Sequence, residues 1–392
     1  MTIHFRLNSH VALALSLLLP GILWSDILPD SPTKDQCVVL LPDVQKKIMQ
    51  FPTHEDRLRE LNGDRDTKKS YFAPNARWRK AQPVTFRWNC TAGEIGPFRV
   101  EISETPDFAD PIYGFSAKEP NLILPRRDAN FKIGQRYFWR VIGKTAEKKD
   151  VVSESATFVT EDIPPRWIGL YGTTGNIRDL GGYITTEGKR VRQGMLYRGQ
   201  GLNYNSVDQK IPGANRLMIV DQQLLLDRFH IRTDLDLRSL RETAGMKVSP
   251  LGSRVNFVQH SSYCYAGIFT DEGKKIMAQN FRLFCDEKNY PIYFHCIAGA
   301  DRTGSLAYVL NGLLGVPEHS LGTDWEHTFY PNLPDNYANG DPNFWRLYRH
   351  FTDGFAKYGT EDDPLSRKIE LYLIDCGITP EEIASFRSIM LE

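Results

Sequence analysis

Cysteine is scarce in this chain: six residues in 392, scattered at positions 37, 90, 264, 285, 296 and 376. That spread excludes a small disulfide-dense scaffold and leaves any pairing undetermined. There is no excess of charge, because 48 Lys and Arg offset 48 Asp and Glu. The balance excludes a broad basic nucleic-acid footprint, an acidic tail and general attraction to anionic membranes, while leaving room for one local basic pocket. With 30 Gly and 23 Pro there is no collagen-like or low-complexity bias. Long hydrophobic runs are missing too. The first, Val11 to Leu23, is broken by Pro20 and follows Arg6. It is too short to span a bilayer comfortably and suits a secretory h-region, with cleavage expected near Ser25. An uncleaved anchor is the alternative. The mature protein is expected to be exported, periplasmic or secreted, with no membrane span once residues 1–25 are removed.

What is present falls into two textures. Residues 26–74 are polar and mixed, with a helical candidate from Asp43 to Leu61. From Pro83 onward, Val84, Phe86 and Trp88 alternate with polar residues, as do Phe98, Val100 and Ile102, then Tyr137, Trp139 and Val141, and a last run Thr157 to Thr160. Period-two segments divided by Gly, Pro, Asp and Asn predict short antiparallel strands of an all-β sandwich, with Trp88 and Trp139 in its core. Glu161-Asp-Ile-Pro-Pro165 is expected to be an extended linker. Asn89-Cys-Thr91 matches a glycosylation sequon, a weak pattern.

From Arg166 the signals alternate between strand and helix, which predicts an α/β architecture. A helix capped by Asp221 is expected to run to Phe229, followed by strands over Thr233 to Leu237 and Pro291 to His295. A further helix is predicted from Arg302 to Leu314, ending at Gly315, and another from Thr379, with Pro380 at its first position and Glu382 completing a capping box.

Between the second of those strands and the helix at Arg302 lies His295-Cys-Ile-Ala-Gly-Ala-Asp-Arg-Thr-Gly304. Five residues between Cys296 and Arg302 let successive backbone N–H groups of Ile297, Ala298, Gly299, Ala300 and Asp301 converge on one centre, where the helix adds its positive end. Arg302 offers a planar fork for two phosphate oxygens. The same field favours a thiolate at Cys296, which is then set for in-line attack on phosphorus. Thr303 can stabilise the departing sulfur, His295 can orient the loop, and Asp301 is the nearest donor for the leaving oxygen. Taken alone, Cys296 could instead be a buried structural thiol and Asp301 a helix cap.

HCxxGxDRTG between a strand and a helix resembles the Cys-x5-Arg protein tyrosine phosphatase superfamily, and more closely its atypical exported bacterial tyrosine and lipid phosphatase branch. Asn176-Ile-Arg-Asp-Leu-Gly-Gly182, Leu196-Tyr-Arg198, Asp234-Leu-Asp-Leu-Arg238 and Asp324-Trp-Glu-His-Thr328 match that branch in order. The resemblance spans roughly 168–390. It implies Cys296 as nucleophile, Arg302 as phosphate ligand, Asp301 as in-loop general acid, and Asn176, Arg178, Asp179 and Arg238 as supporting residues. Ala300 stands where the branch usually carries Lys, which weakens a phosphoinositide reading. The runs PVTFRWN, FRVEISETPDFADP, YFWRV and SATFVT, over roughly 75–161, resemble a fibronectin type III-like module.

The expected protein is therefore multidomain: an N-terminal β-sandwich over 75–161, a linker at 162–167, and an α/β phosphatase over 168–392. It would hydrolyse phosphomonoesters through a phosphocysteine without metal or cofactor. Its substrate would be a phosphorylated protein, with phosphotyrosine first, then phosphoserine or threonine, a phosphoinositide or a small metabolite; the sandwich would be free to take a protein or glycan partner. Rival readings are a phosphate-binding adaptor without turnover, and thiol redox or sulfur transfer. Asp324 and Glu326 are expected to lie on a solvated helix face, or to supply the acid themselves; Arg238 is expected to brace the site through Asp236 or Asp234. Segments 202–215 and 333–341 are expected to frame the entrance.

Overall fold

The structure, a computed structural model, describes residues 27–34, 36–51, 53, 56, 57, 59, 81–91, 96–109, 113–202, 217–329 and 342–392. The apolar run 11–23, most of the expected helix beyond residue 51, and both entrance segments apart from Leu202 lie outside them.

The N-terminal part is built from β1 (Ile27–Ser31), β2 (Cys37–Val38), helix α1 (Asp43–Met49), β3 (Val84–Cys90), β4 (Phe98–Ser103), β5 (Tyr113–Ala117), β6 (Asn121–Leu124), β7 (Arg136–Lys144), β8 (Asp150–Val152) and β9 (Ala156–Thr160). One sheet has the order β1-β3-β6; the other runs β2-β9-β7-β4-β5, with β8 paired to β7. Alternation decides which side chains meet. Phe86 and Trp88 of β3 and Tyr137, Trp139 and Val141 of β7 are all buried in one apolar core. The Phe86 and Trp139 rings, one from each sheet, meet edge-on at 5.1 Å, and the Trp139 indole N–H donates to the Pro32 carbonyl at 2.8 Å.

The segment after β9 is not a loose tether. Glu161 is buried and its carboxylate accepts the backbone N–H groups of Leu40 and Leu41, with Lys46 at 3.3 Å. A carboxylate with that many donors ties the end of β9 to the residues leading into α1.

The second sheet system comprises β10 (Arg166–Trp167), β11 (Arg178–Asp179), β12 (Leu196–Gly199), β13 (Thr233–Asp236), β14 (Asn256–Gln259) and β15 (Ile292–His295), in the order β10-β11-β12-β15-β13-β14. Strands β12, β15, β13 and β14 are parallel, whereas β10 and β11 form an antiparallel edge. The helices are α2 (Ile219–Gln223, continuing as a π-helical turn over Leu224–Arg228), α3 (Asp271–Phe284), α4 (Asp301–Leu313), α5 (Glu318–Phe329), α6 (Pro342–Asp353), α7 (Leu365–Asp375) and α8 (Pro380–Met390). Helix α4 is buried along nearly its whole length, which explains its continuous apolar run. Helix α8 begins as its sequence predicts: Thr379 accepts from the Glu382 N–H and Glu382 accepts from the Thr379 N–H.

Asp221 departs from expectation. Met218 holds the cap position, and the buried Asp221 carboxylate instead collects the N–H groups of Met218, Tyr171 and Gly172. It fastens the 171–172 turn onto the helix.

Candidate active site

The loop from His295 to Gly304 joins β15 to α4, at the carboxyl end of the parallel strands, where open α/β sheets form their crevices. Its shape follows from where its carbonyls go. The Ile297 carbonyl accepts from Gly201 N–H at 3.0 Å. Those of Ala298 and Gly299 accept from the Asn176 amide at 3.1 and 3.2 Å, and the Gly299 carbonyl also accepts from Arg198 Nη2 at 2.8 Å. In a planar trans peptide the next N–H points opposite to each carbonyl. The N–H groups of Ala298, Gly299 and Ala300 therefore turn away from these partners, toward the inside of the curl.

Backbone contact makes this seat. Gly299 has φ +67°, and a Cβ there would lie 2.4 Å from the Gly199 carbonyl. A Cβ on Gly201 would meet the Cys296 carbonyl oxygen at 2.8 Å. Only glycine suits the first position on both counts. Asn176 sits at φ +55°, a conformation asparagine tolerates better than most residues, and so aims its amide at the loop.

Cys296 is buried at the end of β15, and its sulfur lies within electrostatic reach of Arg302 and Arg198. Arg302 is held by Glu242: Nη1 and Nη2 each donate to one carboxylate oxygen at 2.8 Å. Nε–H of Arg302 has no protein acceptor among the described residues, so one edge of the guanidinium stays available. The Arg302 hydrogen bonds, with those from Ser239, hold Glu242 down at about 2. Burial works against the charge on Arg302, but Glu242 outweighs it and keeps the guanidinium protonated.

Behind the loop lies a buried charge row. His295 Nε2 meets Asp234 Oδ1 at 2.9 Å and Nδ1 lies 3.2 Å from the Cys296 carbonyl. Burial pushes the imidazole's pKa down, but Asp236 and Asp234 overcome this and hold it above its ordinary value. Arg238 donates to both Asp236 oxygens, Nε at 2.8 and 3.0 Å and Nη2 at 2.7 Å. Arg238 thus braces the site through Asp236, one of the two partners expected.

Asp301 is the first residue of α4, and Ala300 is the cap residue, so the reading of Asp301 as a helix cap is overturned. Its carboxylate instead accepts from the Tyr265 hydroxyl. Tyr265 has φ +51° and its N–H donates to Ser305 Oγ at 2.9 Å. Burial and Asp301 push the phenol's pKa up strongly, keeping it a donor. Burial and Asp301 also push the neighbouring Cys264 thiol up to about 11. The Thr303 hydroxyl is fully buried and has no hydrogen-bond partner among the described residues.

Two expectations fail on helix α5. Asp324 and Glu326 are not on a solvated face. Asp324 binds Arg178 Nε at 2.5 Å and Arg198 Nη1 at 2.7 Å. Burial pushes its carboxyl up, but Arg178 and Arg198 win and hold it at about 2. Such a group is committed to charge pairing. Glu326 is fully buried against Arg57. Burial and Arg178 hold the adjacent His327 at about 3, so its ring is neutral. Arg178 does support the loop, by donating to the Asn176 amide oxygen at 2.8 Å. Asp179 does not: it pairs with Arg166 at 2.9 Å and accepts from Gly181 and Gly194 N–H. Its neighbour in the strand faces the loop and it faces the other way, as period two requires.

Glu242, Tyr265 and the role of Arg198 escaped the sequence reading. A signal for Glu242 existed, since Ser239 three residues earlier forms a capping-box pattern with it, and each side chain does accept the other residue's backbone N–H. Cys37, Cys264, Cys285, Cys296 and Cys376 are free thiols. Among the described residues no cluster of His, Cys, Asp and Glu is arranged to hold a metal ion, and no helix is long and apolar enough to cross a membrane.

Inward-turned amides, a fixed guanidinium and a sulfur at the end of the sheet make a receptor suited to a tetrahedral oxyanion. The sequence profile described as "Tyrosine phosphatase family" matches residues 171–392, more than half of the chain, and the chain belongs to that family. A search among curated proteins finds no match. Similar solved structures include pectate lyase PelI from Erwinia chrysanthemi with tetragalacturonic acid (21% identity, 20% of this chain, 25% of that one, TM-score 0.17). A beta-1,2-glucanase from Parabacteroides distasonis is similar over 21% of this chain and 11% of its own, at 11% identity and TM-score 0.17. The chain thus spans a quarter or less of those two. The core catalytic domain of the PP-IP phosphatase SIW14 from S. cerevisiae, in complex with citrate, is similar at 14% identity over 43% of this chain and 90% of that one, with TM-score 0.24.

Proposed function

We propose that the chain is a protein tyrosine (or dual-specificity) phosphatase working through a phosphocysteine. The reading rests above all on the three successive carbonyls, Ile297 to Gly299, drawn outward by Gly201, Asn176 and Arg198. Cys296 attacks phosphorus, while the amides of residues 297–302 and the free edge of Arg302 hold the equatorial oxygens. Asp301 protonates the leaving oxygen and then activates the water that cleaves the phosphocysteine, its orientation kept by Tyr265. Thr303 donates to the sulfur as it departs. His295, whose pKa Asp236 and Asp234 hold above its ordinary value, steadies the Cys296 carbonyl and with it the start of the loop.

An aryl phosphate is favoured by Leu240 and Tyr263, both exposed, on the two segments that touch the loop through Glu242 and Tyr265. Ala300 offers no cation for a second phosphate, which argues against a phosphoinositide. The two-sheet N-terminal part is read as a fibronectin type III-like module over 75–161, preceding the catalytic region at 168–392, in a protein exported to the periplasm or secreted.

The purified protein should hydrolyse p-nitrophenyl phosphate, and Cys296→Ser should abolish turnover. A protein that binds phosphate without turnover would be the adaptor instead. Faster release from phosphotyrosine peptides than from phosphoinositides would fix the substrate class, and the reverse order would overturn it.

A further inference from the structure

Helix α5 is gripped from two sides. Asp324 and Thr328, one turn apart, hold the two arginines that serve the loop: Arg178 reaches Thr328 at 2.9 Å as well as Asp324, and Arg198 reaches Asp324. At about 100° per residue, Glu326 projects almost opposite to Asp324. It meets a residue from the far N-terminal end of the chain: Arg57 donates from Nε at 2.5 Å and from Nη2 at 2.7 Å to its two carboxylate oxygens. Both partners are buried, and Arg57 Nη1 is fixed in turn by the Phe51 carbonyl at 2.8 Å. A bidentate pair shielded from water fixes orientation as well as distance.

A second contact runs parallel to the first. Gln45, on α1 and fully buried, bridges two groups. Its amide nitrogen lies 3.3 Å from His327 Nε2, and its amide oxygen accepts from the Trp167 indole N–H at 3.1 Å. The Trp167 ring lies against the Arg178 guanidinium at 5.3 Å. Gln45 is therefore two contacts from the arginine that orients Asn176, and Asn176 holds the Ala298 and Gly299 carbonyls. Helix α1 is itself tied to the β-sheets through Lys46 and Glu161.

We propose that Arg57 and Gln45 are positioning residues for the phosphate loop: the N-terminal part of the chain presses α5 and Trp167 into the arrangement in which Arg178 and Arg198 can draw the loop carbonyls outward. The inference rests on the loop being an oxyanion receptor, as proposed above, but not on turnover. It implies that the catalytic region alone lacks part of its own scaffold, although the family match begins only at residue 171.

The test uses the full chain and inorganic phosphate as the probe. Alkylation of Cys296 by iodoacetamide, followed by mass spectrometry of its peptide, gives the phosphate concentration that half-protects the thiol. Arg57→Ala should raise that concentration about tenfold at a temperature where circular dichroism shows the protein folded, and Arg57→Lys should recover part of the loss, since it restores charge without the fork. Gln45→Leu, which keeps bulk, should raise it about threefold and decides the matter if Arg57→Ala does not fold. Unchanged half-protection in folded Arg57→Ala, or in Gln45→Leu where the first does not fold, overturns the proposal. So does a loss that merely tracks the unfolded fraction. Protection without any hydrolysis by the wild-type chain would refute the phosphatase reading while leaving this one standing; a wild-type Cys296 that phosphate never protects would sink both.

Discussion

The two halves of the molecule are held together by different physics. The N-terminal sheets enclose a core of aromatic and branched side chains, with Trp139, Tyr137, Phe86 and Phe158 in mutual contact and hardly a charge among them. In the catalytic half, Arg178, Arg198, Arg238, Asp234, Asp236 and His295 are all buried next to the apolar core. Burying charges is costly unless each is paired, and pairs seldom stabilise more than apolar residues of the same shape would. Charge rows of this kind make sense where the product is a rigid, directed electrostatic surface. The first half is built to be stable; the second accepts cost to aim donors at an anion.

Several substitutions would break that contrast if it is mistaken. Arg302→Ala should lower kcat/KM for an aryl phosphate by about a thousandfold, with little change in melting temperature. A large fall in stability with activity retained would mean that its pair with Glu242 is structural. Asp324→Ala should destabilise by about 3–5 kcal/mol in urea titrations, because two buried arginines lose their counter-charge, and should cost activity as well. Stability should also fall with acidity. His327, held near 3, stays neutral when folded but protonates from its ordinary 6.5 when unfolded, so folding weakens as pH drops below 6.5. Asp324 adds to this: its stabilisation is full above its ordinary 3.8 and is lost as pH falls through about 2. Thermal melts across pH 7 to 2 should record the decline, and a flat profile would contradict the buried, neutral His327 and the pairing of Asp324 with Arg178 and Arg198. The smallest effect belongs to the other half: Ile102→Val should cost about 1 kcal/mol and leave turnover unchanged.

The loop from His295 to Gly304 was legible because its features are contiguous: ten residues contain thiol, guanidinium, glycine and helix start. The strands of the N-terminal half were legible through period two, since Phe86, Trp88, Tyr137 and Trp139 all face inward. What lay beyond reading were the pairings between distant residues. Asp324 looks like one more charge on a polar helix until Arg178 and Arg198 are brought to it by strands β11 and β12. Glu326 gives no hint of Arg57, 269 positions away. Asp179 misled for a simpler reason: adjacent residues in a strand face opposite sides, so a motif that includes both cannot reveal which one serves the site.

The glycines at 199, 201 and 299 leave the anion receptor resting on bare main chain. At these three positions its gauge is thereby set by main-chain contact, with no rotamer there to relax or repack. Laboratory evolution of this protein should then find abundant variation in what surrounds the phosphoryl group, and almost none in the size of the tetrahedral group that fits.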